Sequence, residues 1–199
     1  MSMSIRTVAI LLLAAPTASA DFYAWDFLTG DFDNKSLTPF GDGAVNLARP
    51  TDKGLRLQLP LGEKTAGIGF ATRFQIRGDF EITMRYRIDK IERPQDGWGA
   101  GPSLYLTTVT DNQPATSLSR MSRKDDREIY SIFRALPVDG DRTKLHKQLD
   151  TEARHGKLRI ARVGSNMMWS AVDGYSDEFA VLHEDEFDTG DVGLVRVLL

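Results

Sequence analysis

The chain has 199 residues, 41% hydrophobic and 27% charged, a composition that suits one folded domain and excludes an extended disordered chain. A net charge of −3 excludes a global basic field for nucleic acid. The absence of cysteine excludes a disulfide framework, thiolate catalysis and cysteine-rich zinc sites.

The N-terminus opens with MSMSIR, runs through the apolar TVAILLLAA and ends in PTASA, with Ala18, Ser19 and Ala20 in Ala-x-Ala form. This reads as a secretory signal peptide over residues 1–20, because the apolar run is too short to span a bilayer. Its removal takes away Arg6 alone. No later stretch is apolar for about 18 residues, so no membrane span is expected after cleavage. The expected destination is outside the cytoplasm: secreted, periplasmic or on a cell surface. A cysteine-free exported domain fits a bacterial source.

Residues 21–199 are predicted to form one domain. Leu55, Leu57 and Leu59 alternate with Arg56 and Gln58. The clearest strand is Asp79–Asp89, where Phe80, Ile82, Met84, Tyr86 and Ile88 alternate with polar residues. A period of two over that length puts one face in a core and the other in water. Ser103–Val109 is another strand, and Ile129–Leu136 is apolar on both faces, as for a strand covered on both sides. Residues 111–128 and 140–155 carry no clear pattern, and the polar run 119–127 is compatible with a loop. Lys157–Val163 and Met167–Val172 form a hairpin about Gly164–Asn166, where Gly and Asn tolerate positive φ. Phe179–Leu182 and Val192–Leu198 complete the series. Turn signals fall between these runs at Arg77-Gly78-Asp79, Pro94–Gly101, Asp139-Gly140-Asp141, Asp173-Gly174 and Thr189-Gly190-Asp191. Many short strands and no convincing helix predict an all-β, antiparallel β-sandwich.

The segments DFEITMRYRID, Gly97–Gly101 and GKLRIARVGSNMMWSAVDG come in the order of a strand, a glycine-rich loop and a hairpin closing on Asp-Gly. In this the chain resembles the concanavalin A-like lectin/glucanase superfamily, a LamG-like jelly roll. RGDFEITMRYRI, GWGAGPSLYL, ATSLSRMSRKDDREIY and EFDTGDVGLVRV also look like a secreted domain family of unknown function found in planctomycete-type bacteria. The resemblance implies the fold and no particular reaction, since the superfamily includes lectins, glycosidases and adhesive modules. It also implies a closing strand beside the first one. The chain stops at VGLVRVLL, so the C-terminal closing strand is expected to be missing, leaving the N-terminal run Phe22–Phe27 or its neighbour as an open edge for self-association.

Four sets of side chains could carry chemistry. Glu184, Glu186 and Asp188 would share a face if they lay on one strand. Retaining β-glucanases of this fold carry Glu-x-Asp-x-Glu, whereas this chain has Glu-x-Glu-x-Asp and turns at once. The plainer alternative is a solvated acidic loop. Calcium is a possible cofactor at Asp31, Asp33 and Asn34, or at Asp139 and Asp141, although neither segment has the twelve-residue loop that ends in a bidentate Glu. The histidines His146, His155 and His183 have no paired spacing for zinc. Basic residues in 119–127 and 142–148 offer a weak polyanion patch, diluted by Asp125, Asp126 and Glu128.

The aromatic residues fit sugar binding best, because a pyranose presents an apolar C–H face to a ring. Trp98, in a glycine-rich loop, is the first candidate; Tyr105, Tyr130 and Arg134 follow. Trp169 is assigned to the core. These residues suit a non-catalytic, exported sandwich that binds carbohydrate or another cell-surface component, with no nucleic acid partner. Two other readings stay open: a glycoside hydrolase or lyase on the same fold, and a structural protein-interaction module.

Overall fold

Strand formation follows the alternation of side chains wherever one face meets a core. The computed structural model describes residues 21–25, 27, 35–58, 67–110, 113–138 and 141–198. The signal-peptide segment, Asp31, Asp33, Asn34, Leu59 and Asp139 lie outside them. The elements are β1 (Leu37–Phe40), a one-turn helix α1 (Ala44–Leu47), β2 (Ala48–Thr51), β3 (Gly54–Leu57), β4 (Gly69–Thr72), β5 (Phe80–Arg87), β6 (Ser103–Thr108), β7 (Ala115–Ser122), β8 (Glu128–Val138), β9 (Asp141–Asp150), β10 (His155–Val163), β11 (Asn166–Asp173), β12 (Ala180–Glu186) and β13 (Val192–Leu198).

Two antiparallel sheets form the sandwich. The larger has the order β1-β4-β13-β6-β7-β8-β9 and the smaller β12-β11-β10-β5; β2 and β3 make a separate hairpin. The core lies between the two larger sheets. Leu104, Leu106, Leu118, Ile132 and Val195 come from one side, and Leu158, Ile160, Met167 and Trp169 from the other. Full burial of each such side chain contributes roughly 1.5–3 kcal/mol.

β5 behaves as its alternation predicts. Glu81, Thr83, Arg85 and Arg87 are exposed, while Phe80, Ile82, Met84, Tyr86 and the following Ile88 pack on the core. Of these only Tyr86 is fully buried, because β5 is an edge strand. The β10–β11 hairpin forms with Val163 opposite Asn166. Gly164 takes φ +59° at the first central position, as a type II′ turn requires.

Three expectations need correction. The patternless stretches contain β7 and β9. The polar run 119–127 is strand as far as Ser122, and only then turns, with Arg123 N–H donating to the Arg127 carbonyl at 2.8 Å. The described part of Phe22–Phe27 is not strand; the edge strands of the large sheet are β1 and β9. β13 is no edge either, since it pairs with β4 on one side and β6 on the other.

Candidate functional site

The register of the large sheet builds a row of side chains on its outer face, away from the core. Arg196 on β13 stands opposite Tyr105 on β6. Tyr105 is paired with Ser117, Ser117 with Phe133, and Phe133 with His146. Their neighbours in sequence, such as Leu104, Leu106, Leu118 and Ile132, point inward and are buried, so alternation forces this row outward. A second row runs Ser103, Ser119, Ser131 and Gln148, and the Ser103 and Ser119 hydroxyls are hydrogen-bonded at 2.7 Å.

Trp98 completes the face. It is 66% exposed and lies parallel to His146, with ring centroids 5.4 Å apart and planes at 4°. His146 also meets Phe133 at 5.0 Å. Arg123 bonds the Trp98 carbonyl and stands 5.5 Å from its ring centroid. The glycines around Trp98 have a backbone task. Gly99 and Gly101 take φ +140° and +149°, and a Cβ on Gly101 would collide with the Arg120 carbonyl. The loop can therefore lie flat on β7, where Ala100 and Ser122 exchange hydrogen bonds of 3.0 and 2.8 Å. That anchoring presents the indole.

The structure divides the aromatic candidates. Trp98 and Tyr105 belong to the outer face, whereas Tyr130 and Arg134 share the opposite face of β8 and point between the sheets. Tyr130 is 4% exposed; its hydroxyl lies 3.1 Å from that of Tyr86 and donates to Asp173. Burial, then the Asp173 and Tyr86 hydrogen bonds, pushes its pKa well up, so it stays a neutral phenol. Arg134 donates to the Glu186 carbonyl at 2.9 Å and pairs with Asp185 at 2.7 Å. Both residues hold the two sheets together and are not part of the outer row. Trp169 is core, fully buried, with its indole N–H donating to Thr116 at 2.9 Å.

The acidic run does not gather. Glu184 and Glu186 are exposed on β12, opposite Met168 and Asn166 in the small sheet. The strand ends at Glu186 and Phe187 is buried, so the chain turns before Asp188 could join the same face. Asp188 instead accepts hydrogen bonds from Thr108 at 2.9 Å, Thr110 at 3.0 Å and the Gly190 N–H at 3.1 Å. Burial pushes its carboxyl up, but these donors and nearby Arg162 outweigh it and hold the group below the usual range. Among the described residues, no group of three His, Asp or Glu side chains is placed to hold a metal ion. No described helix is long and apolar enough to cross a membrane.

Arg196 and Phe40 were not among the sequence candidates, and His146 was weighed only for zinc, not for the sugar face. Each had a faint signal: a lone cation in the apolar VGLVRVLL, an alternating TKLHKQL, and an aromatic before a Gly-Asp-Gly turn. Only strand pairing shows that they share a face.

Two packed antiparallel sheets with this strand order define a lectin-like β-sandwich. Among solved structures, the chain is similar to a legume lectin-like domain from Entamoeba histolytica, with 10% identity, a TM-score of 0.56, and coverage of 82% of this chain and 86% of that one. At that identity the likeness shows the concanavalin A-like fold. The model for the C domain of a protein of unknown function, DUF1583, matches residues 5–199, and the chain belongs to that family. No curated protein matches it.

Proposed function

We propose that the outer face of the seven-stranded sheet binds carbohydrate as a non-catalytic module. The observation that carries this reading is the exposed Trp98, stacked on His146 at the end of a row that includes Phe133 and Tyr105. A fixed, wet indole offers an apolar surface to a sugar ring, and the Ser103, Ser117 and Ser131 hydroxyls on the same face can donate to and accept from sugar hydroxyls. The lectin-like fold is compatible with this use. Among the described residues no two carboxylates converge on this face, as a retaining glycosidase pair would.

The test is a glycan array followed by titration. Trp98→Ala should weaken binding at least tenfold, as removal of one good aromatic contact costs about 2 kcal/mol, and should leave the melting temperature nearly unchanged. A variant that melts early yet binds as well as the parent would overturn the assignment.

A further inference from the structure

We infer that the bound saccharide is acidic, and that Arg196 recognises its carboxylate; this rests on the carbohydrate-binding reading above. Among the described residues, Arg196 is a cation without a counter-ion. The Arg196 guanidinium stands 3.9 Å from the ring centroid of Phe40 and 5.6 Å from that of Tyr105. Among the described residues no carboxylate pairs with it, and its Nε is shielded from water without a hydrogen-bond partner. Buried polar atoms are hydrogen-bonded as a rule, so an exception on a ligand face calls for a partner from outside.

The other shielded arginines show the contrast. Arg120 donates to the Ala153 carbonyl at 2.7 Å and pairs with Glu128. Arg134 pairs with Asp185. Arg162 donates to the carbonyls of Asp188 at 2.9 Å and Gly190 at 2.7 Å. Arg134 and Arg162 also leave Nε unpartnered, but the terminal NH groups of all three are held by oxygens of the chain, whereas among the described residues no oxygen holds those of Arg196.

The surrounding charge agrees. By register, the cations on the outward positions of the seven strands are Arg196, Arg142 and Lys144, with Arg123 beside Trp98. The only carboxylate described among those positions is Asp150, at the rim, and Arg127 holds it at 2.7 Å. Among its described residues, a chain of net charge −3 thus presents one face free of unpaired acid. A guanidinium fork matches a carboxylate in two parallel hydrogen bonds, and aromatic rings on both sides restrict it. From Arg196 to His146 is four strand intervals, roughly 19 Å, which suits an oligosaccharide with its acid group at Arg196 and a ring stacked near Trp98.

The experiment is an array pairing uronic-acid oligosaccharides with their carboxyl-reduced counterparts and with sulfated oligosaccharides, followed by calorimetry on the tightest pair with the full chain. The acidic member should bind at least tenfold more tightly than its reduced counterpart, and added salt should weaken it. Arg196→Met should bring the acid-to-neutral ratio close to one. Arg196→Lys, which keeps the charge and loses the fork, should fall between. Equal binding of a sulfated sugar through Arg196 supports the same anion chemistry from a second source. Binding of neutral and acidic sugars alike, unaffected at Arg196, overturns this inference and leaves the carbohydrate reading standing. Binding of no saccharide overturns both. Tight acid binding unchanged in Arg196→Met puts the anion elsewhere and overturns the assignment of Arg196.

Discussion

The outer faces of the two sheets use the same residue types to opposite ends. On the outer face of the four-stranded sheet Lys157 and Arg159 are paired, while Arg85, exposed on β5, has no ion pair among the described residues. Lys157, only 5% exposed, donates to the Ser176 carbonyl at 2.8 Å and pairs with Asp177. Arg159 donates to Thr83 at 3.2 Å, pairs with Glu81 at 3.1 Å and lies 3.5 Å from the centroid of Phe179. Residues 176–179, between β11 and β12, supply several of these partners, and Val172 and Ser170 on the same face are buried. On the seven-stranded sheet no segment among the described residues supplies a counter-ion to Arg196, and Trp98 remains in water. Composition does not separate the two faces, since both carry Arg and aromatic rings. The state of their hydrogen bonds and ion pairs does: a face whose polar groups are satisfied internally has little left for a ligand.

The sharpest way to break this comparison is to exchange Trp98 and Trp169, one at a time, for alanine. Trp169 fills the core and its N–H is satisfied by Thr116. Trp169→Ala should destabilise the domain by about 3–5 kcal/mol, the usual cost of emptying a buried aromatic site. Trp98→Ala should change stability by about 0.5 kcal/mol or less, as exposed positions do. Denaturant unfolding of both variants decides it. A comparable loss at Trp98 would make it a structural residue and would remove the distinction between the faces.

How much of this the sequence discloses depends on whether a strand has one wet side. β5 and the β10–β11 hairpin are legible because their apolar and polar residues alternate or are closed by Gly164. β7 is not: its inward residues include Thr116 and Arg120, buried at 0% and 2% exposure, and its outward ones include serines, so no apolar period survives. β9 is an edge strand with Lys147 and His146 among its leucines, and reads as polar throughout. The site was half legible for the same reason. Trp98 stands out in a glycine-rich loop and Tyr105 on an alternating strand. Tyr130 and Arg134, four residues apart, fall on one face of β8, but β8 is apolar on both sides, so nothing in its own residues tells inside from outside. Arg196 matters only through partners brought from distant strands.

A smaller effect sharpens the contrast between the cations. Lys157→Met should cost about 1–2 kcal/mol, because it removes a charge-assisted hydrogen bond from a shielded position, whereas Arg196→Met should stay within about 0.5 kcal/mol. The first loss should depend on pH. The Lys157 hydrogen bond and charge hold the Asp177 carboxyl below its usual range. A depressed folded value means the pair's contribution is complete above the unfolded aspartate value, about 3.9, and disappears as pH falls through the folded one. Stability curves of the parent and Lys157→Met should therefore converge below about pH 4. Curves that stay parallel through that range would show that packing of the lysine stem, not the pair, carries the effect.

The smallest expected effect tests the acidic run. Glu184 and Glu186 are exposed on β12, an edge strand of the small sheet, and no ion pair of theirs is found among the described residues. Retaining glycosidases need two carboxyl groups about 5–5.5 Å apart flanking one bond, and here the third acid, Asp188, has left the strand for its own threonine and backbone donors. Glu184→Gln and Glu186→Gln should each shift unfolding by about 0.5 kcal/mol or less and leave glycan binding on the opposite sheet intact. Reducing-sugar release from β-glucans should be at background for the parent and for both variants. Turnover by the parent that either substitution abolishes would move the working face of the molecule to the small sheet, and the comparison between paired and unpaired cations would then have pointed to the wrong side.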